Sequence, residues 1–204
     1  MRSVPRPAPA RRGLVDAIAR SWRDPRGVMA GQVAAGLSEP RALVHLMLAC
    51  MLVFVARLPE AVRMAEGLPV DEPANAAVAA HLFAWGAVAP LLGYALAAVV
   101  HLVARGFGGR GGFLGARAAL FWSGLALSPA VLALGAADAL AGGRAAAWLS
   151  LAGLAALGLW VWVFAASLAE AEGFASTGRV AAVVVLVLAA GVALVELAIR
   201  GGAR

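Results

Sequence analysis

The sequence predicts an all-α, polytopic integral membrane protein: five transmembrane helices with a short amphipathic cytoplasmic N-terminal lead-in. The chain of 204 residues is 63% hydrophobic, whereas soluble domains are about 45–50% apolar. Its mean hydropathy is +0.87. The apolar residues form five long stretches. Crossing a hydrocarbon core about 30 Å thick takes about 20 residues of helix. Five such segments leave too few residues for a sizeable soluble domain.

The amino-terminal region divides into two parts. Residues 1–12 combine Pro with Arg and lack an apolar pattern, so we expect a disordered basic tail. Residues 13–37 are expected to form interfacial amphipathic helices, and residues 38–200 the five-helix membrane domain. The first span begins some forty residues into the chain, too late for a secretory signal peptide.

The first interfacial helix is indicated by spacing. Leu14, Ile18 and Trp22 recur every four residues, while Arg20 and Arg23 lie largely off that stripe. This pattern is typical of a helix whose apolar side enters the acyl boundary and whose Arg side chains face lipid headgroups.

A second short helix is predicted to run from Pro25 to about Gly36. Asp24 is a favourable N-cap residue, and proline is common at the first helical position. The next start signal is Ser38-Glu39-Pro40, directly before the first span.

The five spans are expected at about 41–58, 76–104, 113–137, 145–169 and 179–199. Pro90 is expected to kink the second span, and Pro129 lies in the later half of the third. The 138–144 link is short, which favours antiparallel neighbours.

Charge predicts the orientation. All 17 basic residues are Arg, and with abundant Ala and Gly this indicates a bacterial codon bias. Twelve Arg fall on the side of the amino terminus and five on the other. The positive-inside rule then places the amino terminus in the cytoplasm of a bacterial inner membrane. Five spans place the carboxyl terminus in the periplasm, although the basic tail from Arg200 to Arg204 argues weakly against this.

Few ionisable residues lie inside the predicted spans. His45, His101 and Glu196 are candidates, because an ionisable group at the bilayer centre costs about 2.5–3.5 kcal/mol on insertion scales. A proton or metal relay would need several such groups at one depth. Since their positions do not predict one cluster, hydrogen bonding between helices and snorkelling are the preferred roles, also for His81 and Asp138.

Catalytic and cofactor motifs are not apparent. The single cysteine, Cys50, excludes a Cys-based zinc site. Ser123 lacks a histidine on a later span and is expected to bond a backbone carbonyl. No ligand set for haem or a metal accompanies the six Trp residues. No cofactor, metal site or enzymatic activity is predicted, and a nucleic acid partner is disfavoured because no soluble basic fold is present.

The 105–112 link is rich in Gly and basic residues. It lacks the Gly-Lys-Ser/Thr of a phosphate-binding loop, so a flexible connection is expected. Arg105, Arg110 and Arg117 are candidates for contact with anionic lipid headgroups.

Three segments resemble a known family. SWRDPRGVM and GLSEPRAL precede the first span, and GGFLGARAALFW opens the third. With five spans, they resemble bacterial members of the Yip1-domain (Yip/Yif) family over roughly Ser21 to Ala198. The resemblance implies a five-helix membrane fold with a cytoplasmic amino terminus. Eukaryotic relatives are linked to Rab GTPases through a longer acidic region; the tail here is short and basic, and no functional residue is carried over.

The sequence supports two hypotheses for function. The first is a non-enzymatic inner-membrane protein that associates with itself or other membrane proteins, or acts on lipid organisation. The lipid bilayer, other membrane proteins and a second copy are its expected partners. The alternative is a transporter or channel subunit with a site near the helices kinked at Pro90 and Pro129.

Overall fold

The computed structural model describes residues 13–67, 69, 71–142, 144 and 146–202, and every regular element in these ranges is a helix. The predicted disordered tail, residues 1–12, lies outside them. Two short helices come first, α1 (Leu14–Ser21) and α2 (Pro25–Ala34). They are followed by α3 (Glu39–Ala65), α4 (Pro73–Phe83), a π-helical turn (Ala84–Val88), α5 (Ala89–Gly106), α6 (Phe113–Ala141), α7 (Ala146–Glu172) and α8 (Thr177–Gly202).

Five helical rods in the described ranges are long and apolar enough to cross a bilayer, with α4, the π turn and α5 forming one of them. This confirms the predicted fold class: the chain is a multi-pass, all-α membrane protein. The rods extend beyond the predicted spans, most clearly in α3. That helix continues past Leu58 to Ala65 because helical geometry does not end where the hydropathy falls.

The lead-in helices α1 and α2 pack against the bundle. The Asp24 side chain accepts a hydrogen bond from the Gly27 backbone N–H at 2.9 Å, and Pro25 is the first residue of α2. The predicted N-cap is therefore confirmed. Val28 and Met29 are buried. The main contacts of α2 are with α7, while α1 contacts α2 and α6.

Helices α3 and α6 form the central pair. They run parallel, because Glu39 pairs with Arg117 near their starts and Arg63 pairs with Asp138 near their ends. Toward their far ends, Gly135 lies so close to α3 that an added Cβ would collide with the Ala56 carbonyl oxygen. Small residues at this crossing let the two backbones approach.

The π-helical turn lies directly before Pro90. A proline inside an α-helix has no N–H for the carbonyl four residues earlier, and its ring crowds that carbonyl. A π turn is a recognised local adjustment of a helix. The second rod therefore departs from regular α geometry near Pro90, where the sequence predicted a kink.

The two ends of the bundle differ. The "lead-in end" contains the 107–112 and 173–176 links, and the "far end" contains the turns that follow α3 and α6. Packing is concentrated toward the lead-in end, where the core includes Met29, Leu46, Trp122, Phe164 and Leu168. Half of the most apolar 18-residue stretch of α6 is buried, whereas none of the corresponding stretch of α8 is. Helix α8 is therefore peripheral.

Candidate functional site

A buried acid–histidine pair closes the lead-in end of the bundle. Glu172 is the last residue of α7, which ends there because Gly173 takes a left-handed conformation with φ of +76°. One Glu172 carboxylate oxygen lies 2.8 Å from Nδ1 of His101 on α5. The two side chains are 0% and 5% exposed. The pair therefore joins α5 to α7 through two buried side chains.

The Gly-rich link folds around this carboxylate. The second carboxylate oxygen accepts a hydrogen bond from Gly111 N–H at 3.0 Å, and the Glu172 carbonyl accepts one from Arg110 N–H at 2.8 Å. A Cβ on Gly109 would lie 2.8 Å from the Glu172 carboxylate. A Cβ on Gly111 would collide with the Ala171 carbonyl oxygen. The link was expected to be a flexible connection; the structure instead packs it closely on α7.

We call Glu172, His101 and the 109–111 segment the Glu172 lock. The His101 ring also packs on Phe113 at the start of α6, with centroids 4.2 Å apart. The lock therefore ties three long helices and one link together. Each oxygen of the Glu172 carboxyl group has a hydrogen-bond partner, and these two bonds offset part of the cost of burial.

A second polar cluster lies near the start of α3. One Glu39 carboxylate oxygen accepts hydrogen bonds from the Arg117 guanidinium and the Tyr94 hydroxyl, both at 2.8 Å. The guanidinium carbon also lies 5.7 Å from the Tyr94 ring centroid, which permits a cation–π contact. Arg117, predicted as a lipid contact, thus forms an ion pair within the protein.

A third contact attaches the lead-in to α7. Arg26 on α2 donates to the Glu170 carboxylate and to the Phe174 carbonyl, each at 2.8 Å. It also donates to the Ala175 carbonyl at 3.3 Å. Carbonyls after the last helical turn lack intrahelical donors, so a guanidinium is a suitable partner for them.

Trp22, predicted as a lipid contact, forms a hydrogen bond with α6. Its indole N–H donates to the Ala126 carbonyl at 2.8 Å, while Trp22 as a whole remains partly exposed. Ala126 lies nine residues beyond Arg117, about 14 Å along the helix. Arg20 is half-buried and Arg23 is exposed on the same lead-in. A headgroup contact for these three residues stays a prediction.

The accepting carbonyl lies in a stretch of α6 disturbed by Pro129. This proline leaves the Leu125 carbonyl without its usual backbone donor. The Ser128 hydroxyl donates to that carbonyl at 2.7 Å, a known way to restore a bond lost at a proline. The Ser123 hydroxyl donates to the Leu120 carbonyl at 2.7 Å. This confirms the expected structural role for Ser123.

The other predicted candidates are dispersed. His45 is buried against Trp122, with ring centroids 5.0 Å apart, and its Nδ1 has no hydrogen-bond partner among the described residues. Glu196 forms an exposed pair with Arg200 at 3.1 Å, one helical turn away. Arg105 and Arg110 have exposed side chains at the lead-in end. The structure brings His101 together with Glu172, and not with His45.

Glu172 was missed in the sequence. It lies 71 residues from His101, and no local pattern connects them. A weak signal was present: an acidic residue at the end of an apolar span, on the side where a histidine and a Gly-rich link are expected. Only the packing of both α5 and α7 on α6 turns that signal into a contact.

The chemistry open to these groups is limited. Glu39, Glu170, Glu172 and Glu196 are paired with Arg or His. The Ser123 hydroxyl donates to a backbone carbonyl. Within the described ranges, no group of three or more His, Cys, Asp or Glu side chains could hold a metal ion. The polar groups observed here stabilise helix contacts, which is their most direct physical role.

Comparison with protein families gave one result that covers most of the chain. A family described as Yip1 domain matches residues 20–198. Neither the curated proteins nor the solved structures gave a match.

Proposed function

The chain belongs to the Yip1-domain family of membrane proteins, and from that premise we propose that it acts without enzymatic activity, through association of its helices with a second copy or with other membrane proteins. The family is not known for catalysis. The proposed location is the bacterial inner membrane, with the lead-in end on the cytoplasmic side. The excess of Arg near that end supports this orientation.

The exposure of the far half of α7 and α8 carries the proposal. Trp148 is 77% exposed at the start of α7, and Leu194 and Leu197 are 67% and 66% exposed in the far half of α8. None of residues 177–201 of α8 is buried. By contrast, the lead-in half of α7 is packed against α2 and α6. Half of this hairpin is therefore free to meet another membrane helix.

The sequence of α8 suits such a contact. Ala189 and Ala193 lie four positions apart on one face of the helix, and both are exposed. Membrane helices associate by close packing, and small residues at this spacing let backbones approach. Because lipid tails are as apolar as the helix, exposure alone does not drive association; the small-residue face supplies the specific contact.

The experiment is cysteine cross-linking in the native membrane. On a Cys50→Ala background, Ala193→Cys should form an oxidant-induced dimer, or a cross-link to a partner protein when a bifunctional reagent is used. Leu91→Cys, on the exposed face of α5, is the matched control and should stay monomeric. Equal cross-linking at both positions, or none at Ala193→Cys together with no stoichiometric partner after gentle solubilisation, contradicts the proposal.

A transporter or channel subunit receives less support. Pro129 does not open a polar site, because Ser128 and Trp22 donate to the carbonyls around it. Two grooves among the described residues are lined mainly by apolar side chains. No observation in the described chain favours a water-filled path beside Pro90.

A further inference from the structure

A long groove runs between α5 and α8 at the lead-in end, independently of the far-half surface proposed for association. Its volume is about 420 Å³. Trp160 and Phe164 of α7 form part of its floor, Val100 lies on the α5 wall, and Val184 lies on the α8 wall. The rings of Trp160 and Phe164 stack with centroids 5.1 Å apart, which gives the floor a smooth aromatic surface.

The groove is polar at one end only. Its lining is apolar except for Ser176 and Arg179, which lie at the start of α8. Arg179 is exposed, and within the described ranges it has no ion-pair partner, unlike Arg26 and Arg117. A cation at the mouth of an apolar channel is complementary to an amphiphile with an anionic head.

The length of the groove selects the kind of amphiphile. Along α5 the lining extends from Phe107 to Leu96, and along α8 from Arg179 to Leu188. At 1.5 Å per residue these distances are about 16 Å and 14 Å. The hydrocarbon core is about 30 Å thick, so the groove spans one leaflet. A spanning helix would need a surface about twice as long.

Water is a poor occupant. A water molecule needs two to four polar partners to replace those of the liquid, and apolar cavities stay dry. The floor at Trp160 and Phe164 offers only ring surface. An acyl chain loses nothing there, because it makes the same dispersion contacts with side chains as with its neighbours in the bilayer.

We propose that this groove is a binding site for one anionic glycerophospholipid of the lead-in-end leaflet, with an acyl chain between α5 and α8 and the phosphate at Arg179. The charge at the mouth selects the headgroup, and the apolar walls hold the chain. Ser176 lies beside Arg179, where its hydroxyl already accepts the Arg179 backbone N–H at 3.3 Å and can donate its proton to a phosphate oxygen.

Native mass spectrometry of the full chain tests this site. The protein is released from vesicles of equal parts phosphatidylglycerol and phosphatidylcholine, and the lipids that remain bound are counted. The unmodified protein should retain one phosphatidylglycerol. One basic residue near an anionic lipid surface gives about a fivefold preference. Arg179→Gln should therefore retain the two lipids nearly equally, while Arg200→Gln, on the same helix but at the far end, should keep the preference.

A second pair of variants tests the chain site. Val184→Trp fills the groove and should abolish retention of both lipids, whereas Val192→Trp, 63% exposed in the far half of α8, should not. If Val184→Trp fails to fold, Val184→Phe serves as the test, because this smaller change should still lower lipid retention. Unchanged lipid selectivity in Arg179→Gln, or unchanged retention in folded Val184→Trp or Val184→Phe, would overturn the proposal. If the groove variants lose a protein dimer and not a bound lipid, the groove is instead a contact site for a second copy.

Discussion

Glu172 receives its partners from two separate segments, and its burial makes each of them important. His101 is contributed by α5, and Gly111 by the link that precedes α6. A charged group removed from water is stabilised only when its hydrogen bonds are made. Residues of this kind are sensitive to substitutions that leave one partner alone.

Glu172→Ala should destabilise the protein by about 3 kcal/mol or more, because it removes the hydrogen-bond partner of the buried His101 nitrogen and of the partly buried Gly111 N–H. The measurement is reversible unfolding in a detergent–SDS mixture. Glu196→Ala is the control; its pair with Arg200 is solvent-exposed or headgroup-exposed, so its effect should stay below about 1 kcal/mol. Equal effects of the two substitutions contradict the account of the Glu172 lock.

We expect the close packing of the Gly-rich link to depend on one of its glycines in particular. Gly111→Ala should lower stability by about 1–3 kcal/mol, since the new Cβ would meet the Ala171 carbonyl. Gly112→Ala is the matched control, because no atom lies within 4 Å of its Cβ position. Thermal melting followed by gel filtration in detergent compares them. A link that tolerates alanine equally at both positions is not packed as described.

At the scale of elements, the lead-in depends on few contacts. Arg26 joins α2 to the end of α7 through Glu170 and two carbonyls. Met29 and Val28 add apolar burial. Because α1 and α2 are short, their order depends on these tertiary contacts more than on helix propensity.

Arg26→Ala should therefore loosen α1 and α2 without unfolding the bundle. Hydrogen exchange of residues 14–34 is expected to become faster, while exchange in α6 stays unchanged. Arg23→Ala, an exposed position three residues earlier, should exchange like the unmodified protein. Identical exchange in the Arg26 and Arg23 variants would show that this guanidinium does not hold the lead-in.

We expect the α3–α6 crossing to be sensitive to an added methyl group as well. Gly135→Ala should push the two helices apart at Ala56 and cost about 1–3 kcal/mol. Gly153→Ala on α7 has open space at its Cβ and should have little effect. Unfolding in SDS measures both variants. A neutral Gly135→Ala would mean that the close approach is not required.

The elements could be predicted from the sequence to very different degrees. The five spans follow from hydropathy because bilayer thickness imposes a minimum apolar length. The start of α2 follows from Asp24 and Pro25, a local capping signal. The Glu172 lock and the Trp22–Ala126 bond could not be predicted, because each joins residues about 70 or more positions apart. Such contacts depend on how helices are arranged, which local patterns do not specify.

At the scale of the whole molecule, the bundle is packed at one end and open at the other. The polar contacts of Glu172, Glu39 and Arg26 fall at the lead-in end, where the core also lies. The far half of α7 and α8 has little protein around it. The proposed lipid groove and the proposed association surface therefore fall in different halves of the bundle.

Five crossings place the Gly-rich link and the turn after α6 on opposite sides of the membrane. Labelling single cysteines with a membrane-impermeant maleimide in intact cells tests it most directly, on a Cys50→Ala background. Arg144→Cys should react from outside, and Arg110→Cys should react only after the membrane is opened. Reaction of both positions from the same side, or of position 110 alone from outside, would contradict the account.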